Sequence, residues 1–267
     1  MPSVRDPSTG GAALFARYAY PPNALGYCGP DAAAELLERA AGPAPGPSSD
    51  AGLRHLARGF EGAWPYLELI AAANGLGDPL DRRVVEAYWI GNGLLDRVPT
   101  ALLVRSLEDR FRGRFRGGVG GSWDRLVATA VGARPHHSFH VFGVYPWLGL
   151  LRGGRVEEPL RVLDRCRIRT GRVLSLDGDE AMVESRPLAW DGRRLHEGAP
   201  RAERVVVSAA GRSLVGPLAP GDLCTLHWDW VCDRVSPHQV AALRRRSAQQ
   251  LAVVDAARYP APANVLA

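Results

Sequence analysis

The chain has no lysine. All 33 of its basic residues are arginine, the better residue for two-point contacts to carboxylate or phosphate. A net charge of +5 permits an acidic partner surface without demanding nucleic acid. The arginines are spread along the chain apart from Arg244, Arg245 and Arg246, and no aromatic-interleaved basic stripe is present, so no nucleic-acid partner is expected. Cysteine is scarce. Cys28, Cys166, Cys224 and Cys232 are too few and too scattered for a secreted disulfide framework. No two of them form a Cys-x-x-Cys pair, which argues against a structural zinc ribbon. Long apolar runs are also missing. The longest, Phe139 to Leu151, is broken by Gly143, Pro146 and Gly149 and falls short of the ~18–20 residues that span a bilayer. No apolar signal core stands behind Met1 to Asp6, so a cytoplasmic protein without a membrane partner is expected.

What is present changes character near residue 150. Before it the patterning is helical, over Asp31 to Ala41, Asp50 to Ala73 with a break at Trp64-Pro65, Leu80 to Trp89, Ala101 to Phe111 and Ser122 to Ala133. A glycine-rich segment, Gly117 to Gly121, precedes the last of these. After Gly153-Gly154 the pattern alternates with a period of two. Val162 to Ile168 reads as a strand with Val162, Cys166 and Ile168 on one face. Further strands are expected at Val173 to Leu176, Ala181 to Arg186, Arg204 to Val207 and Leu223 to Cys232, with a tight turn at Asp177-Gly178-Asp179. Ser236, Pro237 and Gln239 mark the start of a closing helix by a capping box. The expected fold is α+β. An irregular helical domain over residues 1–153 precedes a small β-barrel with a C-terminal helix over residues 154–267.

Two patterns in the second half carry chemistry. One is Cys166-Arg-Ile-Arg-Thr-Gly171-Arg172-Val173, and the other is Pro220-Gly221-Asp222-Leu-Cys-Thr-Leu-His227. Each places a thiol or an imidazole, good ligands for transition metals, beside glycine-containing turns. Strand parity puts Cys224 and Cys232 in the core and His227 on the opposite, polar face, where Asp229 could support its second nitrogen. In their order and internal spacing the two patterns, roughly residues 160–256, resemble the small [NiFe]-hydrogenase assembly chaperones of the HypC/HupF family. The resemblance implies an OB-like, HypC-like barrel. It implies that Cys166 and His227 hold, transiently, an iron atom bearing cyanide and carbon monoxide. It further implies two partners, a HypD-like maturation scaffold and the hydrogenase large-subunit precursor.

The first half resembles an actinobacterial domain of unknown function. Two of its segments stand out. Pro135-His136-His137-Ser138-Phe139-His140 would place His136 and His140 one turn apart on a helix, a spacing that permits metal binding. Tyr18 to Asp31, rich in aromatics, proline and glycine, reads as a rigid loop leading into a helix. Cys28 then lies just before the helix N-terminus, where the thiol pKa would be lowered. The leading expectation is therefore a non-enzymatic accessory protein of hydrogenase maturation, working through Cys166 and His227. The alternative is a metal-dependent enzyme built on Cys28, His136, His137 and His140. An oligonucleotide-binding barrel ranks third, because no exposed aromatic stacking set is evident.

Overall fold

The computed structural model describes residues 10–41, 47–111 and 122–256. The glycine segment 117–121 and the chain's first nine residues lie outside them. Helix α1 (Gly11–Ala24) opens the described fold and is buried almost along its whole length. Gly11 meets the chain at Leu80, where a Cβ would collide with the Leu80 carbonyl. Around α1 pack α2 (Ala33–Ala41), α3 (Pro47–Arg58) and α5 (Arg82–Trp89), and α4 (Trp64–Ala73) packs against α5. Asp81 caps α5 by accepting from the Arg83 amide, and Pro65 sits in the first turn of α4, where its missing N–H costs nothing. A 3₁₀ turn (Gly93–Arg97) leads to α6 (Thr100–Phe111) and α7 (Ser122–Ala130).

Two expectations fail here. Tyr18 to Ala24 is helix and not loop, although Pro21 and Pro22 lie inside its last turn. The histidine segment does not form one regular helix. A single turn, α8 (His137–Phe139), runs directly into a π-helical turn (His140–Val144). His136 is the N-cap of α8, its Nδ1 accepting from the Ser138 amide at 3.1 Å, so it serves backbone structure.

The expected strand Val162 to Ile168 is also overturned. After α9 (Trp147–Arg152), residues Glu157–Cys166 form α10. The apparent two-residue alternation concealed a helical stripe: Pro159, Val162, Leu163 and Cys166 are buried at i, i+3, i+4 and i+7. Glu157 and Glu158 fill the first turn, where carboxylates favour a helix. Cys166 therefore ends a helix instead of lying within a strand.

Strand β1 (Arg169–Asp177) pairs antiparallel with β2 (Glu180–Ser185) across the expected turn at Gly178, whose φ of +58° suits glycine. Two short hairpins, β3 (Leu188–Trp190) with β4 (Leu195–Glu197) and β6 (Ser208–Ala209) with β7 (Arg212–Ser213), flank β5 (Arg201–Val206). Strand β5 pairs with β2, and β8 (Leu223–His227) with β9 (Trp230–Arg234). The order β1-β2-β5-β9-β8 returns to its start, because β8 pairs with β1 and β5 meets β9 at Val206 and Trp230. Val173, Val183, Cys224, Leu226 and Val231 fill the inside of this ring. A Cβ on Gly171 would run into Val183 and crowd Cys224 Sγ, so that glycine is a packing requirement. Helix α11 (Pro237–Ala256) starts with the expected capping box: Ser236 Oγ accepts from the Gln239 amide, and Gln239 Oε1 accepts from the Ser236 amide at 3.0 Å.

The two halves share their interior. One apolar cluster joins α1, α4 and α5 to Ile168, Cys232, Val235 and Leu243. A second joins Phe142 and Leu148 to Leu163, Cys166, Trp228 and Leu251. Two arginines of the Cys166-to-Gly171 stretch are buried with them. Arg167 pairs with Asp164 and Glu197, and Arg169 pairs with Glu203 at 2.9 Å while donating to the Trp228 carbonyl at 2.5 Å. Glu203 also accepts from Arg165 and Ser185. Burial opposes its ionisation, but Arg169, the Ser185 hydroxyl and Arg165 together hold it below the usual carboxylate range. Removing one partner of such a cluster leaves the other charged and buried. Glu203→Ala is expected to lower unfolding free energy by about 3–5 kcal/mol in urea titration, and a loss under about 1 kcal/mol would contradict this.

Candidate metal site

The structure brings together one residue from each of three remote segments. One side-chain ligand atom each from His137, Cys166 and His227 lie within 4.8 Å of one another, and all three residues are buried. Cys166 and His227 are the pair the second half singled out. His137 comes from the histidine segment of the first half. Of the second expected site, only His137 joins the cluster; Cys28, His136 and His140 do not.

Each side chain is aimed by its own element. Cys166 sits at the last position of α10, just before Arg167 and Arg169 anchor the chain to the strands. His227 ends β8. The next residue, Trp228, adopts φ +53°, rare for a non-glycine, and its amide donates to the Arg165 carbonyl at 2.7 Å. That left-handed step resets the strand parity. Cys224 and Leu226 face the interior of the ring, Trp228 enters the second apolar cluster, and Cys232 enters the first. His227 is accordingly not on an exposed polar face but 1% exposed. His137 starts α8, and its Nε2 donates to the Cys166 carbonyl at 2.8 Å.

The hydrogen bonds fix the imidazole tautomers. His227 Nδ1 lies 2.6 Å from the Tyr18 carbonyl, an oxygen that can only accept. Nδ1 therefore carries the proton and Nε2 the lone pair. That Nε2 is buried and makes no hydrogen bond of good geometry among the described residues, although the Cys166 carbonyl also lies close to the ring. A buried, unsatisfied nitrogen is costly without a ligand to hold. By the same reasoning His137 carries its proton on Nε2, leaving Nδ1 with the lone pair, 3.3 Å from the Tyr88 hydroxyl. Trp89 packs against both imidazoles, at ring-centroid distances of 4.7 and 5.7 Å.

Tyr18 supplies its carbonyl for a reason visible in the chain. In an α-helix that oxygen would accept from the amide of residue 22. Residue 22 is proline and has no N–H. The freed carbonyl turns to His227, so the supporting group is Tyr18 and not Asp229. Asp229 is more than half exposed and pairs with Arg165 at 2.7 Å.

Burial sets the ionisation of the cluster. It presses His137 down to about 4 and His227 well below its ordinary value, so both imidazoles are neutral at physiological pH and ready to ligate. It pushes the Cys166 thiol far up, so the thiol keeps its proton until a cation displaces it. Cys28 departs from expectation. Its loop is held by Asn23, which donates to the Cys28 and Pro30 carbonyls, and burial pushes its thiol up to about 12 instead of a helix terminus pulling it down.

A cavity of about 70 Å³ lies beside the cluster. Its walls include Tyr27, Cys28, Tyr88, His140, Tyr145 and the three cluster residues. His140 thus approaches the site without joining the triad, and its Nδ1 lies 3.4 Å from the Tyr66 hydroxyl. Three protein ligands with space alongside is the arrangement that leaves one tetrahedral position open on a metal.

Acidification should expose the buried histidines. Unfolding returns His137 from about 4, and His136 from about 3, to the ordinary 6.5. Between those values the unfolded chain binds more protons, so stability is full above pH ~6.5 and falls as pH drops toward ~4. The urea midpoint of the metal-free chain should therefore fall over this window, and His137→Gln should shallow the fall. An unchanged slope in the variant would contradict the burial argument.

A family model described as a family of unknown function, DUF6390, matches residues 7–261. No curated protein and no solved structure matches the chain.

Proposed function

The chain belongs to the DUF6390 family, for which no function is known, and we propose from its own residues that it is an accessory protein that holds a transition metal at His137, Cys166 and His227. The observation that carries this is the convergence of three soft or borderline ligand atoms within 4.8 Å, beside a buried His227 Nε2 that makes no hydrogen bond of good geometry among the described residues. Thiolate with two imidazoles suits zinc, cobalt, nickel, copper or iron, and disfavours calcium and magnesium. Binding replaces the Cys166 proton with the cation, while the neutral imidazoles lose nothing.

Hydrogenase maturation is the setting we propose for this activity. The ring of five strands followed by α11 fits an OB-like, HypC-like barrel. By the order and spacing of their motifs, Cys166 and His227 would correspond to that family's cysteine and histidine. The cargo would be an iron bearing cyanide and carbon monoxide, and the partners a HypD-like scaffold and the hydrogenase large-subunit precursor. His137 gives this chain a third ligand from its helical half. Handover of a cargo held so deeply requires the seam between α8 and β8 to part, and docking of a partner would be the event that parts it.

A second reading, a metal-dependent enzyme, is favoured by one observation. The tyrosine-lined cavity abuts the triad, as it does where metal sites keep a position open for water or substrate.

The tests separate these levels. Full-length protein recovered from a metal-supplemented host should retain about one metal equivalent per chain through dialysis. Cys166→Ser and His227→Ala should lose it, and Cys28→Ser should keep it. Metal-free wild type would contradict the site. Co-purification of a hydrogenase large-subunit precursor with wild type, and not with Cys166→Ser, supports the maturation role. Turnover of a small substrate without such a partner supports the enzyme.

A further inference from the structure

A second, open pocket of about 290 Å³ lies on the outside of the helical half. It shares Gly62, His140 and Tyr145 with the inner cavity beside the metal ligands. These three residues are therefore a common wall between the surface and the cluster. Gly62 packs closely on His140 there, and a Cβ on it would stand 2.8 Å from His140 Nε2. His140 opens the π-helical turn and Tyr145 closes it, a local widening of the helix often found at working sites.

The mouth of the outer pocket is electropositive. Arg58 and Arg110 line it against the single carboxylate of Glu61. The Arg110 guanidinium lies 4.6 Å over the Tyr66 ring and 4.7 Å over the Phe111 ring, and its Nη2 donates to the Glu61 carbonyl at 3.0 Å. Its Nη1 is buried and makes no hydrogen bond of good geometry among the described residues, with the Tyr66 hydroxyl close to the guanidinium. A cation entering here would meet two guanidiniums, whereas an anion would be drawn in. The inner cavity of about 70 Å³ has room for roughly two water-sized groups, which limits the visitor to a few heavy atoms.

We infer that a small anion enters through the Arg58–Arg110 pocket, passes the Gly62–His140–Tyr145 wall and occupies an open position on the metal held by His137, Cys166 and His227. This rests on the metal reading above and adds to it the class and path of the exogenous ligand. Arg110 acts as a recruiting group at the mouth. Gly62 acts by absence, because any side chain there would close the wall.

Azide is the probe, and the protein is the full chain loaded with Co²⁺ during expression. Cobalt content and the thiolate-to-cobalt absorption band report the metal site, and azide-dependent change in the visible spectrum reports the open position. Wild type should titrate saturably. Arg110→Gln should keep its cobalt and weaken azide binding by about fivefold, as loss of one partly buried charge implies. Gly62→Val should keep its cobalt and slow azide entry by about tenfold or more, because a close-packed wall has no slack to absorb the added atoms. Where valine at position 62 prevents folding, as judged by circular dichroism, the Arg110 comparison decides. Wild type without cobalt would overturn the metal reading and the route with it. Wild type with cobalt and its thiolate band, but with no azide response, or with the same response in Arg110→Gln, would overturn the route alone.

Discussion

The site depends on an amide proton that the chain does not have. Proline at position 22 cannot donate to the Tyr18 carbonyl, so that oxygen is left over from the helix ladder and takes Nδ1–H of His227, 209 residues away. One hydrogen bond of this kind contributes only about 1 kcal/mol to stability. Its larger effect is on chemistry. It selects the tautomer that puts the His227 lone pair on Nε2, inside the seam, and holds the ring against rotation. The Tyr18 hydroxyl adds a second tie to the same strand, 2.7 Å from Thr225 Oγ1. Helix α1 is in this sense the frame on which the strand-borne ligand is aligned.

The other two ligands are fixed to each other. The His137 ring donates to the backbone carbonyl of Cys166, so movement of α8 against α10 would disturb both. Beyond Cys166 the chain is pinned by Arg167 and Arg169, whose charges are neutralised by Asp164 and Glu203 in the interior and by Glu197 at the surface. The cost of burying those ions is offset by two-point contacts that arginine can make and lysine cannot. The result is a rigid approach to a soft site. The residues nearest the three candidate ligands are locked by backbone and ion-pair geometry.

Much of this was legible from residue order, and the parts that were not have physical causes. The helices at Ala33–Ala41, Arg82–Trp89 and Thr100–Phe111, the Gly178 turn and the capping box of α11 were readable because each rests on short-range periodicity or on one local hydrogen-bond motif. Helix α10 was misread because valine, aspartate, cysteine and isoleucine happen to alternate across its end, and two-residue and helical spacings coincide over so few positions. Helix α1 was hidden by Pro21-Pro22, which are tolerated where the helix is about to stop. Cys166 and His227 emerged from motif spacing, and His137 emerged from its own segment. Nothing in the order of residues links the two, since strands and helices 29 and 90 positions apart meet only when the halves fold together. Asp229 was chosen by parity, and the left-handed Trp228 between it and His227 removed the parity. The proline pair after an aromatic run was the one available sign that a helical carbonyl would go looking for another donor.

The account stands on a cation bound by one sulfur and two nitrogens. X-ray absorption at the edge of whatever metal the purified full-length protein carries tests this most directly. The account predicts a first shell with one sulfur at about 2.3 Å and two imidazole nitrogens at about 2.0–2.1 Å for a zinc-like ion. A shell of oxygen and nitrogen alone, with no sulfur, would contradict it.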